Sequence, residues 1–285
     1  MTTDRKKNQT LQERKAQGRR IVMLTAYDHT LASLVDRAGV DIILVGDSLA
    51  NVILGLESTV EVDLQTMLRH ARAVRRAVSR AMVVGDMPFV AYQVNPREAV
   101  TNARRFVEEA GCEAVKVEWF DGCPDVTRDM VSAGIPVMGH VGLTPQRARE
   151  LGGLRLQGKD ADTALAVIQQ AEALQEAGCF SVVLECVPAV VARIITSRLR
   201  VPTIGIGAGP DCDGQVLVLH DLLGLTAGRR PKFVKAYARL AEAVVAAIRE
   251  FGEDVRQQKF PAAAQTYQMS SEERARLKQM VHWEE

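Results

Sequence analysis

Short runs rich in Val and Ile punctuate the chain, and each is followed by a longer segment whose apolar residues recur at helical spacing. The runs are Ile21–Thr25, Ile42–Val45, Met82–Val84, Ala114–Val117, Ile135–Met138, Ser181–Leu184, Thr203–Ile206 and Gln215–Leu219. They are continuous rather than alternating, which is how strands covered on both faces read. Between them, Asp63–Ser79 aligns Leu64, Met67, Leu68, Ala71, Val74 and Val78 on one stripe. Asp160–Ala177 repeats the pattern with Leu165, Ile168 and Leu174. Four helix-to-strand junctions share an Ala-Gly pair: Ala38-Gly39, Ala110-Gly111, Ala133-Gly134 and Ala177-Gly178. Glycine just past a helix takes the left-handed conformation at little steric cost, so these pairs predict helix ends.

Strands alternating with helices predict an α/β fold, a (β/α)8 TIM-type barrel with an N-terminal helix and a C-terminal helical extension. The rival doubly wound sheet wants G-x-G-x-x-G after its first strand, where this chain has Thr25-Ala26-Tyr27-Asp28. About eight residues separate the seventh and eighth runs, too few for a crossover helix. Either that connection is abbreviated or one run is misassigned. The expected division is one barrel domain over 1–260 and a polar arm over 261–285. Thr10-Leu11-Gln12-Glu13 has the form of a capping box opening the N-terminal helix. Pro261 through Gln268 reads as loop, and Ser270-Ser271-Glu272-Glu273 opens a polar helix.

Composition narrows the function classes. Thirty-six Lys and Arg face 35 Asp and Glu, a net charge of +1, which gives no footprint for nucleic acid or an anionic membrane surface. No stretch approaches the ~20 apolar residues of a membrane span, and the polar N-terminus has no signal-peptide core. Cys112, Cys123, Cys179, Cys186 and Cys212 are odd in number and contain no C-x-x-C pair, so a reducing cytoplasm is expected rather than a disulfide framework.

Barrels of this class carry their chemistry at the carboxyl ends of the strands. Five successive runs finish on ionisable residues: Gly46-Asp47-Ser48, Gly85-Asp86, Lys116-Val117-Glu118, Gly139-His140 and Leu184-Glu185. One such residue is as readily a salt bridge as a catalyst; five at one level are not explained that way. Clustered carboxylates must share a cation or a proton. Lys116 and His140 are too few to balance them, so a hard divalent ion among oxygens is expected, with Asp47 and Asp86 as direct ligands. Gly46 and Gly85 before them are expected to leave the approach unobstructed. Glu185 lies among Val182, Val183, Leu184, Val187 and Pro188, a setting that suits a general base of raised pKa or, alternatively, an inward acid paired to Lys116. Gly205-Ile206-Gly207-Ala208-Gly209-Pro210 reads as an anion cradle or a tight turn. The arginines at Arg69, Arg72, Arg75, Arg76 and Arg80 read as a solvated helix face or a subunit contact, and His29, His70, His220 and His282 have no functional context.

Seven strings resemble those of the ketopantoate hydroxymethyltransferase family. They are Val45-Gly46-Asp47-Ser48, Asp86-Met87-Pro88-Phe89, Val115-Lys116-Val117-Glu118, Gly139-His140-Val141-Gly142-Leu143-Thr144-Pro145-Gln146, Leu184-Glu185-Cys186-Val187-Pro188, Ile204-Gly205-Ile206-Gly207-Ala208-Gly209 and Pro231-Lys232-Phe233-Val234-Lys235. The similarity runs in order from about residue 10 to 260. Trp119-Phe120 depart from the small residues expected after Glu118.

The resemblance implies a Mg2+-dependent transfer of a hydroxymethyl group from 5,10-methylenetetrahydrofolate to 3-methyl-2-oxobutanoate, in pantothenate biosynthesis. It implies a homo-oligomer, a decamer of two pentameric rings. By position, Asp47, Asp86 and Glu118 match the metal set, with Glu118 behind the other two. Asp47, Ser48, Asp86, Lys116 and His140 match the substrate-binding set, and Glu185 matches the base that removes the C3 proton. The alternatives are a Mg2+-dependent 2-oxo-acid lyase or mutase of the isocitrate lyase/phosphoenolpyruvate mutase type, or a catalytically silent barrel acting as an assembly module. The lyases tend to carry a reactive Cys in a Gly-rich loop, which no Cys here matches.

Overall fold

The computed structural model describes residues 11–226, 228 and 231–283. Its strands are β1 (Ile21–Thr25), β2 (Ile42–Val45), β3 (Met82–Asp86), β4 (Ala114–Glu118), β5 (Val137–Gly142), β6 (Ser181–Glu185), β7 (Thr203–Ile206) and β8 (Gly214–Leu217). All neighbours are parallel, and β8 pairs back onto β1, so the sheet closes into an eight-stranded barrel in sequence order. The helices of this unit are α1 (11–16), α2 (His29–Arg37), α3 (Leu49–Val52), α4 (Leu64–Ala77), α5 (Pro96–Glu108), α6 (Cys123–Ser132), α7 (Ala161–Glu176), α8 (Ala189–Arg198) and α9 (Leu219–Leu222).

Asp63 and Asp160 cap α4 and α7, their carboxylates accepting the Thr66 and Thr163 N–H groups. Gly39, Gly111, Gly134 and Gly178 all take positive φ, between 75° and 102°, as the Ala-Gly pattern predicts. Thr10, where the N-terminal capping box would start, lies outside the described residues.

The apolar runs hide a period of two. Ile21, Met23, Ile42, Leu44, Met82, Val84, Ala114, Met138, Val183, Ile204 and Val216 fill the barrel interior, while the alternate residues join the larger core beneath the helices. Followed upward, the interior positions turn polar at the carboxyl ends: Asp86 after Val84, Lys116 and Glu118 after Ala114, His140 after Met138, Glu185 after Val183.

The fifth run needs correction. β5 begins at Val137, because the Ile135 N–H bonds back to Met130 and Pro136 has no N–H to give. Residues 207–213 join β7 to β8 without a helix, so the connection is abbreviated and the eighth run is a strand, though it ends at Leu217 and Leu219 already opens α9. Gly207 and Gly209, at φ +64° and +80°, make the turn.

The other end of the barrel is tied by acids. Asp36 accepts the N–H groups of Ser79, Arg80 and Ala81 at 2.8–3.1 Å, together with the Ser79 hydroxyl. Asp41 takes the Val22 N–H, Glu113 that of Val83, and Asp213 that of Thr203, so the starts of β1, β3 and β7 are each held by a carboxylate. Lys15 of α1 reaches Asp213 at 2.7 Å and fastens the N-terminal helix there.

Contacts divide the chain into two compact units, 1–237 and 238–285, so the boundary expected at 260/261 falls inside the second. That unit holds α10 (Leu240–Arg256) and α11 (Ser271–Val281), the latter capped by Ser270 as its sequence predicts. No helix among the described residues is long and apolar enough to cross a membrane.

Candidate active site

A cavity of about 370 Å³ opens at the carboxyl ends of the strands, and all seven predicted site residues line it. Asp86, Lys116, Glu118, His140 and Glu185 form one continuous line of contacts. Lys116 Nζ stands 2.8 Å from Asp86 Oδ1, 3.7 Å from Glu118 Oε1 and 3.3 Å from His140 Nδ1. His140 Nδ1 lies 3.3 Å from Glu118 Oε1, and its Nε2 lies 3.3 Å from Glu185 Oε2. Cationic and anionic groups therefore alternate along the rim. Glu185 is partnered by His140 and not by Lys116, which belongs to Asp86. Its surroundings are thus less apolar than its sequence neighbours predict.

Asp47 follows β2, and its backbone N–H donates to Asp86 Oδ2 at 3.1 Å, which brings the two aspartates together. Ser48 Oγ is 2.9 Å from the Tyr27 hydroxyl at the end of β1. Gly46 and Gly85 serve different ends. A Cβ on Gly46 would meet Ser48 Oγ at 3.0 Å, whereas on Gly85 it would run into the Phe106 ring of α5. Gly85 thus admits a helix on the outside of the barrel; it does not clear a path to the site.

Burial governs the electrostatics. Desolvation lifts Asp86 to about 8; Lys116 opposes the rise, and Asp47 and Glu118 add to it. Burial also works against the Lys116 cation, but Asp86, Glu118 and Asp47 outweigh it and hold its pKa above the ordinary lysine value. For His140, burial and Lys116 push downward, yet the contacts with Glu118 and Glu185 prevail and raise it to about 9. Cys186 sits beside Glu185 with its thiol pushed up to about 12 by burial, which makes it a poor nucleophile.

Written as ionised, Asp47, Asp86, Glu118 and Glu185 exceed Lys116 and protonated His140 by two charges, which a divalent ion would neutralise; without one, burial relieves part of that excess by favouring the protonated form of Asp86. Asp86 Oδ1 meets the Lys116 ammonium and Oδ2 a single backbone N–H, so an ionised Asp86 keeps lone pairs that a cation could occupy. Among the described residues no group of three or more His, Cys, Asp or Glu is arranged as a metal cage. A Mg2+ ion does not need one, since it takes one or two carboxylates and fills its octahedron with water and substrate. Asp47 and Asp86 fit that role. Glu118 is engaged elsewhere, its Oε2 accepting the Gln146 N–H at 3.0 Å and its Oε1 facing Lys116 and His140.

The sequence profile of the ketopantoate hydroxymethyltransferase family matches residues 5–263. The chain belongs to this family. The 3-methyl-2-oxobutanoate hydroxymethyltransferase of Moorella thermoacetica is 57% identical over 251 residues, covering 88% of this chain and 93% of the relative. That of Nitratidesulfovibrio vulgaris strain DP4 is 56% identical over 255 residues, covering 89% and 83%. Among solved structures, a phosphonopyruvate hydrolase complexed with oxalate and Mg2+ superposes with a TM-score of 0.60 at 16% identity, covering 96% of this chain and 98% of that one. A 2,3-dimethylmalate lyase of the phosphoenolpyruvate mutase/isocitrate lyase superfamily gives 0.56 at 15% identity, covering 97% and 95%. At such identities the likeness is one of fold. The lyase-type alternative thus shares the barrel, while the hydroxymethyltransferase family shares the sequence.

Three participants escape a reading of strand ends. Tyr27 touches Ser48 from a loop, Tyr92 sits on a short turn, and Gln146 is neutral. Only the position of Gln146 just after Thr144-Pro145, a predicted helix start, marks it. Trp119 and Phe120 pack against the outer core, Phe120 edge-on to Tyr92 at 5.7 Å, and do not line the cavity.

Proposed function

We propose that this protein transfers a hydroxymethyl group from 5,10-methylenetetrahydrofolate to 3-methyl-2-oxobutanoate, giving 2-dehydropantoate. The observation that carries the reading is the rim itself: one line of alternating acids and bases, with more acids than bases, at the mouth of a cavity sized for small substrates. Asp47 and Asp86 would hold the divalent cation, with Glu118 behind them, and a cation there would supply Lewis-acid polarisation of the 2-oxo carbonyl.

The rest falls to the chain's own side chains. Lys116 and Ser48 hold the substrate carboxylate, with Ser48 Oγ oriented by Tyr27. Glu185 removes the proton from C3. Of the two bonds from the methylene carbon to the folate nitrogens, the new bond to C3 replaces one and a hydroxyl from water replaces the other; the C3 proton and the remaining water proton end on the two nitrogens, and tetrahydrofolate leaves. His140, protonated below about pH 9, lies between Glu118 and Glu185 and holds the Glu185 carboxylate toward the substrate. Fixing the base and the carboxylate-binding groups around one small molecule is worth several kcal/mol through orientation and preorganised charge. Five free thiols support a reducing, cytoplasmic setting, and the working unit is a homo-oligomer, a decamer of two pentameric rings.

The test uses D2O, Mg2+ and 3-methyl-2-oxobutanoate without folate. NMR should show loss of the C3 proton signal at a rate that depends on both enzyme and metal. Absence of exchange in an enzyme that binds the acid would overturn the proposed chemistry.

A further inference from the structure

Gln146 makes four directed hydrogen bonds at the floor of the site, although only 5% of it is exposed and it carries no charge. Its Nε2 donates to Asp47 Oδ2 at 3.2 Å and to the Met87 carbonyl at 3.0 Å. Its Oε1 accepts the Tyr92 hydroxyl at 2.8 Å, and its backbone N–H donates to Glu118 Oε2 at 3.0 Å. One residue thus reaches the ends of β2, β3 and β4 from the loop after β5.

The amide cannot be reversed without loss. Tyr92 receives the Glu118 N–H at 3.0 Å and the Gln93 side-chain amide at 2.8 Å, and of the two acceptors within reach of its own proton Gln146 Oε1 at 2.8 Å is nearer than the Glu118 carbonyl at 3.5 Å. Nε2 must then face the two acceptors, Asp47 and Met87. We propose that Gln146, locked by Tyr92, is a positioning residue that fixes the Asp47 carboxylate for a divalent cation. It does so by occupying one lone pair of Oδ2, leaving the carboxylate's remaining lone pairs directed at the cavity. The choice of an amide follows from charge: a lysine in its place would neutralise Asp47 and compete with the ion, and a glutamate would repel it. This inference rests on the reading of Asp47 as a metal ligand. Partners behind a ligating carboxylate typically change metal affinity by about 10- to 100-fold when removed.

The experiment measures Mn2+ binding by electron paramagnetic resonance with 3-methyl-2-oxobutanoate present, alongside the Tm of each metal-free variant. Gln146→Met keeps the volume and removes the side-chain bonds; its Mn2+ Kd should rise at least tenfold (about the lower bound for such partners), while the Tm falls because buried Tyr92 and Met87 lose their partner. Tyr92→Phe releases the amide and should weaken binding in the same direction by less, which keeps the test open if Gln146→Met misfolds. In an Asp47→Asn background, Gln146→Met should add nothing, because its effect passes through Asp47. Wild-type Mn2+ affinity in both single variants, or an undiminished effect in the Asp47→Asn background, would overturn the proposal alone. Wild-type Mn2+ affinity in Asp47→Ala would instead overturn the metal-site reading, and the positioning role with it.

Discussion

Asp36 and Asp86 are aspartates withdrawn almost wholly from water, 4% and 1% exposed, at opposite ends of one barrel. Asp36 collects three backbone N–H groups and a hydroxyl. Burial alone would raise its pKa, but the donors of Ala81, Ser79 and Arg80 outweigh it and hold the carboxyl below its ordinary value. Asp86 receives a single backbone N–H, one lysine and two neighbouring acids, and it is lifted to about 8. The same residue type is thus complete at the strand starts and incomplete at the strand ends. Completion serves the fold; incompleteness is what lets the other end respond to a ligand.

The largest effect that would sharpen this contrast is catalytic. Glu185→Gln should lower C3 proton exchange by about 10²- to 10⁴-fold, the usual worth of a positioned base, with the metal-free Tm unchanged. Wild-type exchange in that variant would remove Glu185 from the role.

At the opposite end, Asp36→Ala should destabilise the protein by about 3 kcal/mol in urea unfolding, because several buried donors lose their acceptor at once. Enzyme kept at low temperature should still exchange the C3 proton. A loss under 1 kcal/mol (about one ordinary hydrogen bond) would break the comparison.

Asp86→Asn should instead abolish the response to ligand. At Mg2+ and 2-oxo-acid concentrations about 100 times their Kd, the wild type gains roughly 2.7 kcal/mol, visible as a higher Tm, and the variant should gain none.

A smaller effect follows from pH. The folded-state pKa of Asp36 is depressed, so its contribution is present above the unfolded carboxyl value near 3.8 and is lost as pH falls through the folded one. Asp36→Asn should flatten that acid limb and leave the neutral range parallel to wild type. Last, Arg128→Ala, which breaks an exposed pair with Asp125, should shift stability by no more than about 0.5 kcal/mol.

The rim was legible in the sequence and the opposite end was not, for one physical reason. An ionisable residue that closes a Val-rich run has left an apolar environment for a buried polar one, and Asp86, Glu118, His140 and Glu185 each stand out on that account. Asp36 lies in the last turn of α2, and Asp41, Glu113 and Asp213 lie in junctions, where acids are ordinary, and their burial depends on which strand start they meet in space. Gln146 and Tyr92 were missed because neutral hydrogen-bonding groups leave no charge pattern. The start of β5 was misread by two residues because Ile135-Pro136 is apolar yet spends its one N–H on α6. Gly85 was assigned the wrong task because strand parity, which turns it toward Phe106, is invisible in a continuous apolar run.

Gly142 follows the last outward residue of β5 at φ +93°, and a Cβ there would run into the carbonyl oxygen of Glu185. Any side chain at 142 therefore displaces the peptide that carries Glu185, the proposed base, so a library aimed at new acceptor acids gains nothing by varying it. Leu154 lines the same cavity with 74% of its surface open, and it is the wall to reshape when bulkier acceptors are wanted.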